Sequence, residues 1–437
     1  MREVDRIITN GKIVTFNAGD EILEKGAVAI SGTRIVDVGE TEKILSEFHA
    51  KDTIDASHHL VMPGLINAHA HAPMTLFRGL ADDIPLIPWL DEMQRATLMV
   101  NNRDDMKTGA VLGYAEQLMG GITTTLDMYF FPEVLAEAAK QTGIRLITGP
   151  VFVSSPDVDG IEAANRSRYG EEFIRKYKDD GQIIPCVSPH SPLDIPVETL
   201  QEAMALAERH DVLLTIHCAE TQDEVSRVQA QTGKRPLALL YDFGLMSKRT
   251  VLAHCVYLTE DEIRMLAESG AVVAHCPLSN LKLADGIAPV PAMLEAGIPV
   301  VFGTDGAGSS NDLDLWKVIR LAATLHKATS LDPTVFPAKA VLQQATIGAA
   351  KALGLERRIG SLEKGKLADL ILIDLNQPHL VPVYDTYSLL AYAVGRGDVE
   401  TVIVGGQVVL REHRFEKLHL APVIRNARKI ADRIKAS

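Results

Sequence analysis

The sequence predicts an α/β protein that consists of a (β/α)8 barrel and a smaller β-rich domain made from both ends of the chain. Two observations predict this architecture. Between residues 63 and 361, apolar β-branched runs alternate with segments whose apolar residues recur at helical spacing. The two ends of the chain show short strand-like runs joined by turn signals instead.

The end segments predict one discontinuous domain, a composite β-sandwich built from residues 1–62 and 362–437. Near the N-terminus, RIITNGKIVTF predicts a hairpin at Asn10-Gly11, and further strands follow in AVAISGTRIVDVG and TIDASHHLVMPG. Near the C-terminus, LADLILIDL and VETVIVGGQVVLREHRF repeat this pattern, with Gly405-Gly406 as a second turn signal.

The middle of the chain contains roughly eight strand–helix units, the number that a TIM barrel needs. Its strand-like runs are LVMPGLINAH, ITTTLDMYF, RLITGPVF, QIIPCVSPH, VLLTIHCAE, TVLAHCV, AVVAHCP and IPVVFGTD. Segments such as PVETLQEAMALAERH and TEDEIRMLAESG have the helical spacing. Because such barrels place their chemistry at the C-terminal ends of the strands, polar residues that close these runs are candidates for function.

Composition excludes several classes of protein. The formal net charge of -13 and the absence of a Lys/Arg run argue against nucleic acid as a partner. The chain has neither a signal-peptide pattern nor an apolar stretch near the ~18 residues of a membrane span. Four cysteines without C-x-x-C spacing are expected to be small core residues of a protein in a reducing compartment. We therefore expect a cytoplasmic protein, and its assembly into a homo-oligomer stays open.

Polar residues close most of the barrel runs, and four of them form a candidate metal site. His69 and His71 are two apart on one strand, so their side chains point to the same side and can bind one ion. His217 and Asp305 would complete a set of three imidazoles and a carboxylate, with one coordination position left for water. Both Zn²⁺ and Fe²⁺ suit these ligands.

The remaining polar residues at the strand ends are candidates for acid–base catalysis or for orienting the metal ligands. Glu220 lies three residues beyond His217, where its carboxylate is placed for general acid and base catalysis. We expect His254 to orient or polarise the water at the metal. His275 either orients a ligand or packs in the core, and Asp127 is expected to be a polar plug or a salt-bridge partner. The segment GTDGAGSSNDLD lacks a phosphate-loop pattern and is expected to form a tight loop that holds Asp305.

At these residues the sequence resembles the amidohydrolase superfamily. The resemblance covers nearly the whole chain and includes the PG-x-IN-x-H-x-H entry, His217, His254, Asp305 and the closing GSLEKGKLADLILID. Several motifs are similar to the branch of 5-methylthioadenosine/S-adenosylhomocysteine deaminases and the related triazine aminohydrolases and chlorohydrolases: FRGLADDIPLIPWL, LDMYF, SPHSP, HCAET, GKRPLALL, SNLKLADGIAPV and GTDGAGSSNDLDLW.

The resemblance implies a barrel with a composite β-sandwich and one divalent ion, Zn²⁺ or Fe²⁺, bound by His69, His71, His217 and Asp305. Two-metal members bridge their ions with a lysine that closes the fourth strand, and this chain has His190 there instead. The resemblance further implies that His190 and Trp89 contact the substrate, that Glu220 moves a proton to a ring nitrogen, and that Asp305 shares a proton with the attacking water.

Two departures from the branch concern the substrate. Adenosine-type members carry a glutamate for the ribose where this chain has Leu98, and an arginine where it has Gly149-Pro150. A free base, a pterin-like ring or a triazine is therefore more plausible than the nucleoside.

The predicted function is that of a metal-dependent aminohydrolase, which replaces the amino group of an N-heterocycle by a carbonyl and releases ammonia. One alternative keeps the metal and changes the reaction, so that the enzyme displaces chloride or an alkylthio group or opens a cyclic amide. Another is a non-catalytic scaffold on the same fold, which would have no reason to keep the ligands together with Glu220.

Overall fold

The computed structural model describes residues 1–84, 86–154 and 158–436, and these residues form two compact units. One unit contains Met1–Ile66, Glu116–Thr124 and Asp314–Leu418, and the other contains Asn67–Ala115, Thr125–Leu313 and His419–Ser437. Pro85, within the motif FRGLADDIPLIPWL, lies outside the described residues. The domain boundaries expected at residues 62 and 361 stay a prediction.

The strands are β1 (Arg2–Val14), β2 (Ile22–Ser31), β3 (Arg34–Glu40), β4 (Phe48–Asp55), β5 (His59–Pro63), β6 (Leu65–His71), β7 (Ile122–Asp127), β8 (Arg145–Thr148), β9 (Val151–Phe152), β10 (Ile183–Pro189), β11 (Leu213–Cys218), β12 (Thr250–His254), β13 (Val272–His275), β14 (Val300–Phe302), β15 (Asp305–Gly306), β16 (Leu370–Asp374), β17 (Val399–Val404), β18 (Gln407–Arg411) and β19 (Arg414–Phe415).

The helices are α1 (Thr41–Glu47), α2 (Leu86–Met99), α3 (Arg103–Met119), α4 (Pro132–Thr142), α5 (Arg166–Tyr177), α6 (Val197–His210), α7 (Gln222–Thr232), α8 (Pro236–Asp242), α9 (Glu260–Ser269), α10 (Pro277–Lys282), α11 (Val290–Glu295), α12 (Leu315–Ser330), α13 (Ala338–Gln344), α14 (Ile347–Ala352), α15 (Thr386–Tyr392) and α16 (Leu420–Lys435). None of the described helices is long and apolar enough to cross a membrane.

Strands from both ends of the chain form one mixed sheet in the order β19-β18-β17-β16-β5-β1-β2-β3, with β4 beside β1. The two ends meet at β5, which pairs parallel with β1 and antiparallel with β16. The alternating apolar residues of these strands form a dry core that includes Ile8, Ile13, Val28, Val61, Leu370, Leu372 and Ile403. The predicted composite β-rich part of the fold is confirmed.

One of the two predicted turns in this sheet is wrong. β1 runs straight through Asn10-Gly11, where the pairing with β2 shifts register in a bulge. A Cβ at Gly11 would lie 2.8 Å from Val61 Cγ2, so the glycine permits close packing inside the sheet. Gly405-Gly406 does form the predicted turn between β17 and β18, with φ values of 53° and 75°.

The parallel strands form the second sheet in the order β14-β13-β12-β11-β10-β8-β7-β6-β15, with β9 also beside β10. Only Gly303 and Thr304 separate β14 from β15 along the chain. This single segment pairs with β13 through β14 and with β6 through β15, so the sheet closes on itself. The predicted (β/α)8 barrel is confirmed, and the C-terminal ends of its strands meet at one mouth.

The last helix, α16, belongs to the same unit as the barrel mouth. Arg433 pairs with Asp105 and also donates to the carbonyl of Met99 at 3.4 Å. Arg95 donates to the carbonyl of Ile434 at 3.3 Å. These contacts connect the end of the chain to α2 and α3.

Candidate active site

The barrel brings the predicted metal ligands together at the C-terminal ends of its strands. His69 and His71 end β6, His217 is the penultimate residue of β11, and Asp305 begins β15. Two groups have ligand atoms within 4.8 Å of one another: His69, His71 and His217, and His69, His254 and Asp305. All of these residues are buried. His254, which the sequence did not predict as a ligand, therefore shares a metal-compatible group with His69 and Asp305.

Hydrogen bonds fix the tautomers of two of these histidines. The Nδ1 atom of His71 donates to the carbonyl of Met128 at 2.6 Å, and Nδ1 of His217 donates to the carbonyl of His190 at 2.9 Å. Since a carbonyl can only accept, both neutral rings carry their proton on Nδ1 and a lone pair on Nε2. The two Nε2 atoms lie 3.2 Å apart. Facing lone pairs repel, and a cation between them would remove that repulsion.

The other ligand candidates also fit a cation. Neither ring nitrogen of His69 has a hydrogen-bond partner among the described residues, although the ring is fully buried. Asp305 Oδ1 lies 3.3 Å from His71 Nε2 and 3.7 Å from His69 Nε2, while its Oδ2 accepts from Ser309 at 2.6 Å. Three imidazoles and one carboxylate are a donor set that suits zinc.

Burial and mutual repulsion keep the imidazoles of the cluster neutral, as metal ligation requires. Burial, followed by the charge of His71, holds the pKa of His69 well below its ordinary value. Burial and the neighbouring histidines act in the same direction on the pKa of His217. Burial alone would raise the pKa of Asp305, but His71, His254 and His69 together hold it well below its usual range.

Glu220 lies in the loop after β11, beside His254. Its Oε1 atom is 3.5 Å from His254 Nδ1. Burial, followed by the charges of Asp285, Asp305 and Glu224, raises the pKa of Glu220 well above its ordinary value. Burial lowers the pKa of His254 to about 4, so its ring is neutral near pH 7. The site therefore pairs a carboxyl group whose pKa is raised by burial with an uncharged imidazole.

Four supporting residues were missed by the sequence reasoning. Ser309 bonds Asp305, and Asn280 Nδ2 lies 3.0 Å from His254 Nδ1. Asp285 is only 5% exposed, and burial raises its pKa to about 7. Glu224 binds the backbone of the Glu220 loop. Only Glu224 had a local signal, the T-x-x-E pattern of a helix N-terminus at residues 221–224.

The candidate substrate contacts are present at the mouth, and their roles stay predictions. His190 follows β10, with its Nδ1 atom 2.6 Å from Asp194 Oδ2. Trp89 lies in α2, is 8% exposed and donates from Nε1 to the carbonyl of Gly308 at 3.4 Å. Its indole N–H is thereby directed to the loop after β15.

Asp127 and His275 support the barrel interior. Asp127 accepts from the hydroxyl of Tyr114 at 2.7 Å and from the backbone N–H of Ala72 at 3.1 Å, in agreement with the polar-plug alternative. His275 ends β13, and its carbonyl accepts from the N–H of Gly303 at 3.0 Å. Neither residue belongs to the two metal-compatible groups found among the described residues.

The structure gives a physical reason for one of the two departures at the expected ribose contacts, the one at Gly149. Leu98 is 37% exposed on α2. A Cβ at Gly149 would lie 1.7 Å from the backbone carbonyl oxygen of Cys186, so no side chain fits there unless the backbone moves. An arginine at this position would therefore require a different arrangement of β8 and β10.

A model of the Amidohydrolase family matches residues 60–409, and the chain belongs to this family. It is 42% identical over 431 residues to a 5-methylthioadenosine/S-adenosylhomocysteine deaminase of Syntrophobacter fumaroxidans, with 99% of this chain and 98% of the relative covered. It is 37% identical over 434 residues to a 5'-deoxyadenosine deaminase of Methanosarcina mazei, with 99% of each chain covered.

Solved structures show the same similarity. A zinc-bound adenosine deaminase from Xanthomonas campestris superposes with a TM-score of 0.97 at 37% identity, and each chain is covered completely. A zinc complex of an atrazine chlorohydrolase from Arthrobacter aurescens superposes with a TM-score of 0.89 at 27% identity, over 98% of this chain and 100% of the other. The predicted enzyme class is confirmed: the protein is a hydrolase of C–N bonds other than peptide bonds, and a divalent metal is supported.

Proposed function

We propose that this protein is a zinc-dependent deaminase of 6-aminopurine nucleosides that carry a 5' substituent, such as 5-methylthioadenosine and S-adenosylhomocysteine. The convergence of three imidazoles and one carboxylate at the barrel mouth, with Glu220 beside His254, carries this proposal. Relatives that are aligned over nearly their whole length are named 5-methylthioadenosine/S-adenosylhomocysteine deaminase and 5'-deoxyadenosine deaminase, which supports an adenosine modified at the 5' position as the substrate.

His69, His71, His217 and Asp305 would hold the metal. When bound, the ion would act as a Lewis acid that makes water nucleophilic near neutral pH. The facing Nε2 atoms of His71 and His217 and the unpartnered nitrogens of His69 support these assignments. Their Nδ1 bonds to backbone carbonyls would keep the rings of His71 and His217 oriented toward the ion.

The proton transfers would fall to three side chains. As the water oxygen bonds to C6 of the purine, Asp305 accepts a proton from the water, and Glu220 donates its own proton to the adjacent ring nitrogen. His254, which is neutral, orients the water by a hydrogen bond. Asp305 then passes the proton that it took from water to the amino group, which leaves as ammonia. The hydroxyl on C6 returns a proton to Glu220, so a carbonyl remains at C6 and both carboxyl groups are restored. Such acid–base assistance is typically worth about 10²- to 10⁴-fold in rate.

The nucleoside would be held without the ribose contacts expected from the branch. Leu98 cannot accept a hydroxyl hydrogen bond, and Gly149 offers no side chain. Trp89 and His190 are proposed to contact the substrate, the former through its ring face. The alternative substrate is a free base, a pterin-like ring or a triazine, and the two departures at the ribose contacts favour it.

An ammonia-release assay on zinc-loaded protein tests this proposal. The panel contains 5-methylthioadenosine, S-adenosylhomocysteine, 5'-deoxyadenosine, adenine, guanine, a pterin, cytosine and amino- and chloro-triazines, with Glu220→Gln as the control. We expect stoichiometric ammonia from the 5'-substituted nucleosides, with kcat/KM at least ten times that for adenine. Turnover of the free base alone would overturn the substrate proposal, and release of chloride without ammonia would overturn the deamination itself.

Two expectations about the protein's surroundings stay predictions, namely its cytoplasmic address and the absence of a nucleic-acid partner. Its assembly into a homo-oligomer stays open.

A further inference from the structure

Glu224, the third residue of α7, is a buried carboxylate that does not face the substrate. It is 6% exposed, and its two oxygens accept hydrogen bonds from successive backbone N–H groups. Oε1 accepts from Ala219 at 2.9 Å, and Oε2 accepts from Glu220 at 2.7 Å. The backbone N–H of Glu224 donates to the hydroxyl of Thr221 at 3.0 Å. The side chain therefore binds the segment that carries Glu220.

This arrangement departs from an ordinary capping box, which the next strand–helix unit provides for comparison. Glu262 is the third residue of α9, and its Oε2 accepts from the N–H of Thr259, the residue that caps the helix, at 2.9 Å. Glu224 reaches further back, past its own capping residue Thr221, to the two residues before it. The same sequence pattern thus closes a helix end in one loop and holds a catalytic loop in the other.

The backbone held by Glu224 is strained and is shared by two catalytic loops. Ala219 has a φ of 52°, a left-handed conformation that non-glycine residues seldom adopt. Its carbonyl accepts from the N–H groups of Val256 and Tyr257 at 2.9 and 3.0 Å, and these residues follow His254. Holding Ala219 therefore fixes both the loop of Glu220 and the loop that leaves His254.

We propose that Glu224 is a positioning residue, whose carboxylate sets the backbone at Ala219 and Glu220 so that Glu220 and His254 face the substrate together. This inference rests on the proposed function, in which Glu220 donates the proton. Burial raises the pKa of Glu220, and the charge of Glu224 contributes in the same direction.

The test compares Glu224→Gln with the matched variant Glu262→Gln, each in zinc-loaded full-length protein. Glutamine preserves the size of the side chain. In Glu224→Gln it presents a donor to one of the two backbone N–H groups, whereas in Glu262→Gln the amide oxygen can keep the bond to Thr259 and the variant loses the charge that pairs with Arg235. We measure kcat, KM, zinc content and Tm. Glu224→Gln is expected to lower kcat by about 10- to 100-fold at unchanged zinc content and nearly unchanged KM. Glu262→Gln, which weakens the ion pair with Arg235, should lower Tm while kcat stays within twofold.

A double variant separates positioning from general loss of structure. If Glu224 acts mainly through Glu220, adding Glu224→Gln to Glu220→Gln should lower kcat by much less than Glu224→Gln does alone, and the remaining loss reports its effect on His254. A full additional loss in that background, or equal losses of kcat in Glu224→Gln and Glu262→Gln, would overturn the inference. Should Glu224→Gln fail to fold, Glu224→Asp and Glu262→Asp carry the same comparison, because both keep the charge and shorten the reach.

Failure of the inference is distinguishable from failure of the proposed function. Normal turnover in Glu220→Gln would overturn the proposed function, because Glu220 would not be the proton donor. An inactive Glu220→Gln combined with an unimpaired Glu224→Gln would overturn only the positioning role of Glu224.

Discussion

The barrel mouth and the composite sheet use their buried positions in opposite ways. In the sheet, strands from both ends of the chain bury aliphatic side chains such as Ile8, Val61 and Leu372 against one another. At the mouth, buried positions are occupied by imidazoles and carboxylates, and His69 has two ring nitrogens without hydrogen-bond partners among the described residues.

The difference indicates that the composite sheet is built for stability and the barrel mouth for binding and catalysis. Burying apolar surface stabilises the fold, whereas burying unpaired polar groups costs free energy unless a ligand compensates for it. The composite sheet is therefore explained by packing alone. The mouth is explained by a metal ion and a reaction, and substitutions in the two regions should separate activity from stability.

The largest expected effect is on activity and comes from the metal ligands. His69→Ala and His217→Ala should each lose the metal, and with it the several kcal/mol of transition-state stabilisation that correspond to about 10³-fold or more in turnover. Asp305→Ala should behave in the same way. Metal analysis beside the ammonia assay measures both effects, with the exposed His49→Ala as the control. A normal metal content in any ligand variant would remove that residue from the site.

The next effect separates catalysis from metal binding within the mouth. Glu220→Gln should keep the zinc content of the unchanged protein and lower kcat by about 10²- to 10⁴-fold, because the amide cannot deliver the proton. Metal content and kcat measured on the same preparation check this. Turnover near that of the unchanged protein would end the role proposed for Glu220.

In the composite sheet, substitutions are expected to lower stability and to leave kcat unchanged. Ile8 is fully buried, so Ile8→Ala should reduce the free energy of unfolding by about 2–5 kcal/mol, and the milder Ile8→Val by about 0.5–1.5 kcal/mol. The kcat of the folded fraction should not change in either variant. Denaturant unfolding and the ammonia assay together test this, and a fall in kcat without loss of stability would contradict the division between the regions.

The smallest effect concerns pH and a histidine outside the mouth. Burial lowers the pKa of His326 to about 4, from an ordinary value of 6.5. As pH falls from 6.5 to about 4, His326 becomes protonated in the unfolded chain but stays neutral in the folded protein. The free energy of unfolding therefore falls over this window by at most about 3 kcal/mol. His326→Gln should flatten the slope of unfolding free energy against pH over this window. An unchanged slope would contradict it.

Sequence reasoning succeeded where side-chain direction follows from a strand. The alternation along β6 was enough to place His69 and His71 on one side, and barrel topology was enough to expect His217 and Asp305 beside them. It failed at Asn10-Gly11, because the local turn preference is overridden by the close approach of Val61.

The features of the site that the sequence did not predict depend on tertiary hydrogen bonds. Nothing in the sequence indicates that Nδ1 of His71 donates to Met128, or that Asn280 lies beside His254. The T-x-x-E pattern predicts a helix cap at Glu224, but the targets of its carboxylate depend on the left-handed turn at Ala219. Such partners are set by how distant loops meet.

Anomalous diffraction from crystals of the purified protein, recorded on both sides of the zinc absorption edge, tests the central claim most directly. We expect one strong peak within about 2.0–2.2 Å of imidazole nitrogens from His69, His71 and His217 and of a carboxylate oxygen from Asp305. Zinc-loaded crystals without a peak at this position, or with the ion bound elsewhere, would contradict the claim that these strand ends form a metal centre.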